Sequence, residues 1–270
     1  MDLSGIDWNE VWRETQAKTT FRGRDPKFWD RRAPSFVRHS KTSEYVDQFL
    51  RIMDAKPHWS VLDIGCAAGT LAVPLAGSVR RITALDASEV MVSLLDERCR
   101  REGVSNIRIV KGRWEDDWDE LAIGVHDVAI ASRSLMVPDF RSSVEKLCAH
   151  ARERVYLSTL VGDGPHDRNI LEACGRHHHP GADYICALNI LYQMGIFANL
   201  SFTYQEEDPI YENPAVALDG FRWMLDQMTA QEEERLTAFL PTYLVPCGWG
   251  WKLPRPKVVR WAVLWWEKRQ

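Results

Sequence analysis

The chain has 270 residues, enough to bury a full core as one large α/β domain or two small ones. Thirty-four lysines and arginines against 38 acids leave a formal charge of -4, which excludes a global electrostatic pull toward nucleic acid or anionic membrane. No apolar run reaches the roughly 18 to 20 residues of a membrane span, and the polar start from Met1 to Asn9 does not read as a secretory leader, so a cytoplasmic protein is expected.

In chain order, residues 7 to 41 mix polar and aromatic types and read as an irregular N-terminal arm with a short helix. Tyr45, Val46, Phe49, Leu50 and Met53 fall at helical spacing after Thr42-Ser43, a possible N-cap. The pattern then alternates: strand 60–64, helix 70–77, strand 81–86, helix 89–102 opened by Ser88 and stopped by Gly103, strand 106–111, a helix or turn at 116–122, strand 126–131, helix 139–150 and strand 153–160. Strands alternating with helices over short connections predict an α/β fold with a parallel sheet covered on both faces.

Beyond residue 160 the rhythm changes. Helices are expected at 165–174 and 180–194, the second stopped by Gly195 and leading into strand 198–206. Asn213-Pro214 opens a helix with the apolar stripe Ala217, Phe221, Met224, Leu225 and Met228, and Thr229-Ala230-Gln231-Glu232 is a capping box for another, ending near Leu240. This pair reads as an inserted cover. The run from Lys257 to Trp266 is apolar on both alternating faces except for Arg260, as in a strand covered on both sides. Twelve tryptophans suit core and interface filling, and six scattered cysteines without a CxxC read as reduced thiols.

The most informative stretch is Val61-Leu62-Asp63-Ile64-Gly65-Cys66-Ala67-Ala68-Gly69, followed 23 positions after Asp63 by Asp86 at the end of the second strand. Strand, small-residue turn, helix, strand and carboxylate form the layout of a nucleotide-type site, because small residues let backbone amides approach a ligand. The glycines do not follow G-x-G-x-x-G, which disfavours a nicotinamide dinucleotide.

Asp63-x-Gly65-x-Ala67-x-Gly69 resembles the first motif of class I S-adenosylmethionine-dependent methyltransferases, an acid followed by three glycines at alternate positions. The similarity runs from about Trp29 to Thr159 and includes Leu85-Asp86-Ala87-Ser88, Gly112-Arg113-Trp114-Glu115 and Ala131-Ser132-Arg133-Ser134 on successive turns. It implies a Rossmann-like, seven-stranded, mostly parallel sheet with the last strand antiparallel, helices on both faces and a helical lid. That is a single domain over 1–270, divided into an arm and helix (1–58), a cofactor-binding core (59–160), a lid with the sixth strand (161–250) and the final strand (251–270). It further implies S-adenosylmethionine as cofactor, wrapped at its methionine end by Gly65, Cys66, Ala67 and Gly69. Asp63 would orient the ammonium, Asp86 would accept both ribose hydroxyls, Ala87 and Met91 would lie on the adenine, Trp114 and Glu115 at its edge, and Ser132 near the sulfonium. Met91 and Trp114 also suit plain packing. Ala67 departs from the motif's middle glycine and narrows the space, and Arg113 stands where many relatives carry an acid.

Methyl transfer is an in-line displacement, so positioning and water exclusion are the protein's main tasks, and a base is needed only for a protonated nucleophile. Arg133, Asp163, His166, Asp167, Tyr184, Tyr192 and Tyr211 are expected around the mouth. Arg133 and His166 are the catalytic candidates: Arg133 follows Ser132 directly and could bind an anionic substrate or simply a helix carboxylate, and His166 follows the fifth strand and could be a base, although a lone loop histidine is more often a solvated one. His177-His178-His179 reads as an exposed helix end, with no metal site expected. The basic, aromatic stretch from Trp251 to Arg269 raises RNA, yet most of it reads as a buried strand. A cover rich in Phe221, Trp223, Met224 and Tyr243 suits a small, partly apolar acceptor, methylated on O, N or C. An RNA methyltransferase and a non-catalytic protein binding the cofactor or its demethylated product are the alternatives; the oligomeric state is left open.

Overall fold

The computed structural model describes residues 5–19, 25–40, 44–179, 181–225 and 227–268. Its N-terminal part corrects the expected irregular arm, because α1 (Trp8–Lys18) and α2 (Pro26–Ser40) precede α3 (Glu44–Met53). Asp7 caps α1 by accepting from the backbone of Asn9 and Glu10. Only Asn9, Trp12 and Gln16 of α1 are buried, too narrow a stripe to read from sequence. Trp12 is fully buried against Phe140 at 4.6 Å, and its indole donates to Val137 O at 2.9 Å. The Thr42-Ser43 cap lies outside the described residues.

The parallel strands are β1 (Ser60–Ile64), β2 (Arg81–Asp86), β3 (Ile107–Lys111), β4 (His126–Ser132) and β5 (Ala151–Leu160). Between them run α4 (Ala72–Ala76), α5 (Glu89–Glu102) and α6 (Phe140–Ala149), with turns rather than a helix at 116–122. Ser88 caps α5, and Gly103 closes it in the left-handed conformation at φ 68°, as its sequence signals indicate. The chain continues through α7 (Arg168–Ala173), α8 (Tyr184–Gln193) and β6 (Asn199–Glu207) to α9 (Pro214–Phe221) and α10 (Ala230–Tyr243). A short hairpin, β7 (Val245–Cys247) with β8 (Gly250–Lys252), was not expected, and β9 (Lys257–Glu267) closes the sheet.

The seven-stranded order is β3-β2-β1-β4-β5-β9-β6. The last strand is antiparallel, as expected, and it enters between β5 and β6 rather than at an edge. Being central explains why β9 is apolar on both faces, with Ala262, Val263 and Leu264 at 0% exposure.

Two apolar clusters lie on opposite faces of the sheet. One joins Leu62, Ala129 and Leu157 to α1, α6 and α8, and the other joins Val61, Val128 and Tyr156 to α3, α4 and α5. The first contains Ala187, Ile190 and Leu191, so α8 covers the sheet instead of roofing the pocket. The lid is the remainder: α7, α9, a 3-10 turn (Arg222–Met224), α10 and the hairpin, which share a separate cluster around Leu236 and Leu240. The stripe continues from α9 into the 3-10 turn, and Met228 follows on an irregular segment. Among the described residues no helix is long and apolar enough to cross a membrane.

Candidate functional site

The C-terminal ends of β1, β2, β4 and β5 form one rim, and the site is built there from short backbone turns. Where β1 leaves the sheet, the Gly65 and Cys66 amides both donate to Leu85 O, at 2.8 and 3.1 Å, tying the turn to the end of β2. Gly65 has φ +71°, and a β-carbon there would overlap Ser134 Cβ. The Ser134 hydroxyl in turn donates to Ile64 O at 2.6 Å. Gly69 has φ +78°, with Leu95 and Val73 where a side chain would go. Ala67 sits between them at φ 49°, a left-handed conformation that costs an alanine about 1 kcal/mol.

Asp63, in the middle of this wall, is 2% exposed, and its Oδ2 has no hydrogen-bond partner among the described residues. Burial, and then the nearby Asp86 carboxylate, push its pKa up to about 7. Asp86 accepts from the Ala67 amide at 2.8 Å and from the Ser88 amide at 2.9 Å. Burial raises its pKa while those N–H donors lower it. Carboxylate oxygens have about four lone-pair sites, so Asp86 keeps acceptor capacity beyond these two bonds.

The remaining motif residues lie close by. Ala87 follows Asp86 and is half-buried. Met91 is 1% exposed, packed with Ala33 and Ala68, which is the core reading the sequence left open. Trp114 donates its indole N–H to Ser134 O at 3.1 Å and packs on Trp118, while Glu115 is exposed. Arg113 is also exposed, and its carbonyl accepts from the Trp118 indole at 3.0 Å.

On the other side of the rim, Ser132 ends β4. Its hydroxyl is 2.5 Å from Tyr45 OH, which is 2.6 Å from Ser158 Oγ. Burial raises the Tyr45 pKa, so this phenol keeps its proton at neutral pH. Arg133 follows at φ 55° and donates its backbone N–H to Ser158 O at 3.1 Å and to Ser158 Oγ at 3.0 Å. Its guanidinium lies 4.1 Å from the Tyr45 ring centroid and 5.5 Å from that of Trp261.

His166, on the loop ahead of α7, is 5.0 Å from the His178 ring and 5.5 Å from Trp223. Burial, and then His178, draw its pKa down to about 4. The histidine triplet follows α7 on a loop rather than ending a helix; His177 and His179 are exposed as expected, whereas the His178 side chain is 4% exposed with Nε2 3.5 Å from Asp163 Oδ1. Burial of the aromatic neighbourhood decided this, which a run of three polar residues does not reveal. Among the described residues no group of three or more His, Cys, Asp or Glu is placed to hold a metal ion.

The seven residues expected around one mouth do not all gather there. Asp163 pairs with Arg168 at 2.8 Å, and Asp167 caps α7 and accepts from Tyr243 OH at 3.2 Å. Tyr211 pairs with Trp251 inside the lid, and Tyr184 packs on Phe202. Tyr192 is 67% exposed at the far end of α8, which runs back from the rim toward the start of β6.

Four residues that shape the site were missed. Asp30 of α2 accepts from Ser88 Oγ at 2.5 Å and from the Val90 amide, docking α2 over the start of α5. Tyr45 read as one member of an apolar helix stripe, Ser158 as a strand interior, and Ser134 as part of a turn. Each gains its role from a partner 58 to 113 residues away, and no local signal marks such pairs.

The family model described as "Methyltransferase domain" matches residues 61–154. An uncharacterized protein of Haemophilus influenzae is 32% identical over 276 residues, covering 99% of this chain and 98% of that one. A 66-residue stretch is 33% identical to the 23S rRNA (uracil(1939)-C(5))-methyltransferase RlmD of Aeromonas hydrophila, spanning 24% of this chain and 15% of that relative. The crystal structure of the YcgJ protein from Bacillus subtilis superposes with a TM-score of 0.58 at 16% identity, over 86% of this chain and 99% of that one, and so shares the fold. With the family model covering these turns and the seven-stranded sheet beneath them, the chain belongs to the class I S-adenosylmethionine-dependent methyltransferases and is an enzyme that uses S-adenosylmethionine.

Proposed function

We propose that the turn from Asp63 to Gly69 and the end of β2 hold the cofactor, and that the enzyme methylates a small molecule on O, N or C beneath the lid. The carrying observation is the carboxylate pair, one buried and one half-buried: Asp63 has an unpartnered oxygen, and neither it nor Asp86 meets a lysine or arginine among the described residues. A ligand bringing an ammonium and a ribose diol supplies what these two groups require, a counter-charge for one and two hydroxyl donors for the other. Gly65, Cys66, Ala67 and Gly69 present a side-chain-poor surface that admits the ligand's methionine end. Ala87 would face the adenine, Met91 would back that wall, and Trp114 with Glu115 would border the ring's edge. Ser132 would lie beside the transferred methyl.

The cofactor, when bound, supplies an electrophilic methyl. This chain's residues would bind, orient and exclude water. Neither catalytic candidate is a strong base at neutral pH: the Arg133 guanidinium has no proton to accept, and an imidazole with a pKa of about 4 binds one weakly. Transfer would therefore rest mainly on positioning under the lid, whose Trp223 faces His166 at 5.5 Å.

A small acceptor is favoured over RNA because most of the basic C-terminal stretch, the exposed Arg255 apart, is engaged within the chain. Lys252 pairs with Asp208, Lys257 donates to Pro165 O, Lys268 donates to the Cys148 and Ala151 carbonyls, and Arg260 lies over Tyr204. Arg269 lies outside the described residues.

Calorimetry with S-adenosylhomocysteine tests the cofactor assignment. Asp86→Ala should weaken binding at least tenfold, equivalent to losing about 1.5 to 3 kcal/mol of charge-assisted hydrogen bonding. Unchanged affinity in a folded variant refutes the proposed site.

A further inference from the structure

Two arginines lie between aromatic pairs along β9, and they differ in one respect. Arg154 sits 5.4 Å from the Trp59 ring and 5.6 Å from Trp265, and its guanidinium pairs with Glu267 at 2.5 Å. Arg133 sits 4.1 Å from Tyr45 and 5.5 Å from Trp261, four residues back along the same face of the strand, and no carboxylate of the described residues lies within ion-pair distance of it. Both guanidinia are partly withdrawn from water by their rings. Only the one away from the rim has its counter-ion.

Arg133 is also the residue whose backbone is held in an unusual state. Its φ of 55° is one that a branched or long side chain enters only when the surroundings enforce it, and two bonds from its amide to Ser158 do so. Left-handed non-glycine residues of this kind concentrate at binding and catalytic sites. The guanidinium rests on Tyr45 of α3 and Trp261 of β9. Lys257, on the same face of β9, reaches over the Trp223 ring at 5.8 Å. The acceptor side of the rim is thus cationic and aromatic, opposite in charge to the carboxylate side.

The geometry points to Arg133 as the specificity-determining residue for the methyl acceptor, binding a carboxylate or phosphate on a substrate whose apolar part rests against the half-buried Trp261. This inference rests on the cofactor assignment proposed above and adds the substrate class to it. A planar guanidinium presents paired N–H donors that match two oxygens of an oxyanion, and the flanking rings hold the fork without competing for those donors. Burial lowers the Arg133 pKa, but an arginine guanidinium does not lose its proton in proteins, so the charge is available throughout the physiological range.

Ligand-observed 19F NMR on the full chain saturated with S-adenosylhomocysteine tests this, using 4-fluorobenzoate and 4-fluorophenyl phosphate, with 4-fluorobenzamide as the neutral control. At least one anion should bind saturably and the amide should not; which anion binds more tightly separates carboxylate from phosphate acceptors. Arg133→Met should abolish that binding, and Arg133→Lys, which keeps the charge and loses the fork, should retain it more weakly. Both variants should bind S-adenosylhomocysteine within about twofold of the parent, which also reports that they are folded. Equal binding of acid and amide, no binding of either anion, or full anion binding by Arg133→Met overturns the inference. So does a loss of S-adenosylhomocysteine affinity of tenfold or more in folded Arg133→Met, which would assign Arg133 to the cofactor's own carboxylate. Should the parent chain take up no S-adenosylhomocysteine at all, it is the proposed cofactor site that fails, a different result from any of these.

Discussion

The two sides of the rim contrast in charge, in construction and in how much of each is local. Around β1 and β2 the chain places two carboxylates, the buried Asp63 and the half-buried Asp86, on a turn made almost entirely of backbone. Around β4, β5 and β9 it places Arg133 and Lys257 among aromatic rings, with side chains from α2, α3 and the lid. The first side tolerates little change because its backbone conformations and close approaches leave no slack. The second is assembled from long side chains that can re-pack. A common donor on one side and a varied acceptor on the other would call for that division.

The sharpest way to break the contrast is Gly65→Ala. The added methyl meets Ser134 and an unfavourable φ together, so a loss of about 3 kcal/mol or more and no measurable S-adenosylhomocysteine binding are expected, checked by thermal unfolding and calorimetry. Asp63→Asn should give the next effect, one that depends on pH. The folded carboxyl keeps its proton to about pH 7, whereas the unfolded one loses it near 3.8, so folding favours the protonated form. Stability of the ligand-free enzyme therefore falls as pH rises from about 4 to 7 and levels off above that. The asparagine variant lacks this slope and should melt a few degrees higher than the parent at pH 8, the two converging toward pH 4, while losing most of its affinity for S-adenosylhomocysteine. Equal melting points at pH 8 would mean that Asp63 is not held protonated.

Trp223→Ala sharpens the contrast from the other side. The indole stands beside His166, Arg32 and Lys257, none of them part of the β1–β2 turn. S-adenosylhomocysteine affinity should stay within about twofold, whereas acceptor turnover, once an acceptor is found, should fall by tenfold or more; a matching loss of cofactor affinity would merge the two sides. The smallest effect belongs to Ala67→Gly. Relief of the left-handed strain and the greater freedom of the unfolded chain nearly cancel, so stability should move by less than about 1 kcal/mol, with cofactor affinity unchanged or slightly improved.

The β1–β2 side was largely readable because its information is local. A turn that needs φ above zero at Gly65 and Gly69 shows small residues at those positions, and a strand ending in an acid shows Asp86. The helix caps at Ser88, Asn213 and Thr229 were equally visible, since a capping side chain acts within three residues of itself. The N-terminal helices were not, because α1 buries only three residues and Pro34 within α2 argues against a helix there. The middle of the histidine triplet misled for a related reason: His177 and His179 are exposed as their polarity suggests, whereas His178 is covered by neighbours from elsewhere in the chain.

The sequence alone determined the alternation of strands and helices, the small-residue turn after β1, the paired acids and the two-faced character of the last strand, all set by side-chain size and period along a continuous segment. Only the tertiary structure decided that β9 inserts between β5 and β6, that α8 covers the sheet while α7, α9 and α10 form the lid, and that Arg133 rests between Tyr45 and Trp261 without an acidic partner among the described residues. Those arrangements depend on contacts between residues far apart in the chain, whose free energy appears only once the sheet has brought them together.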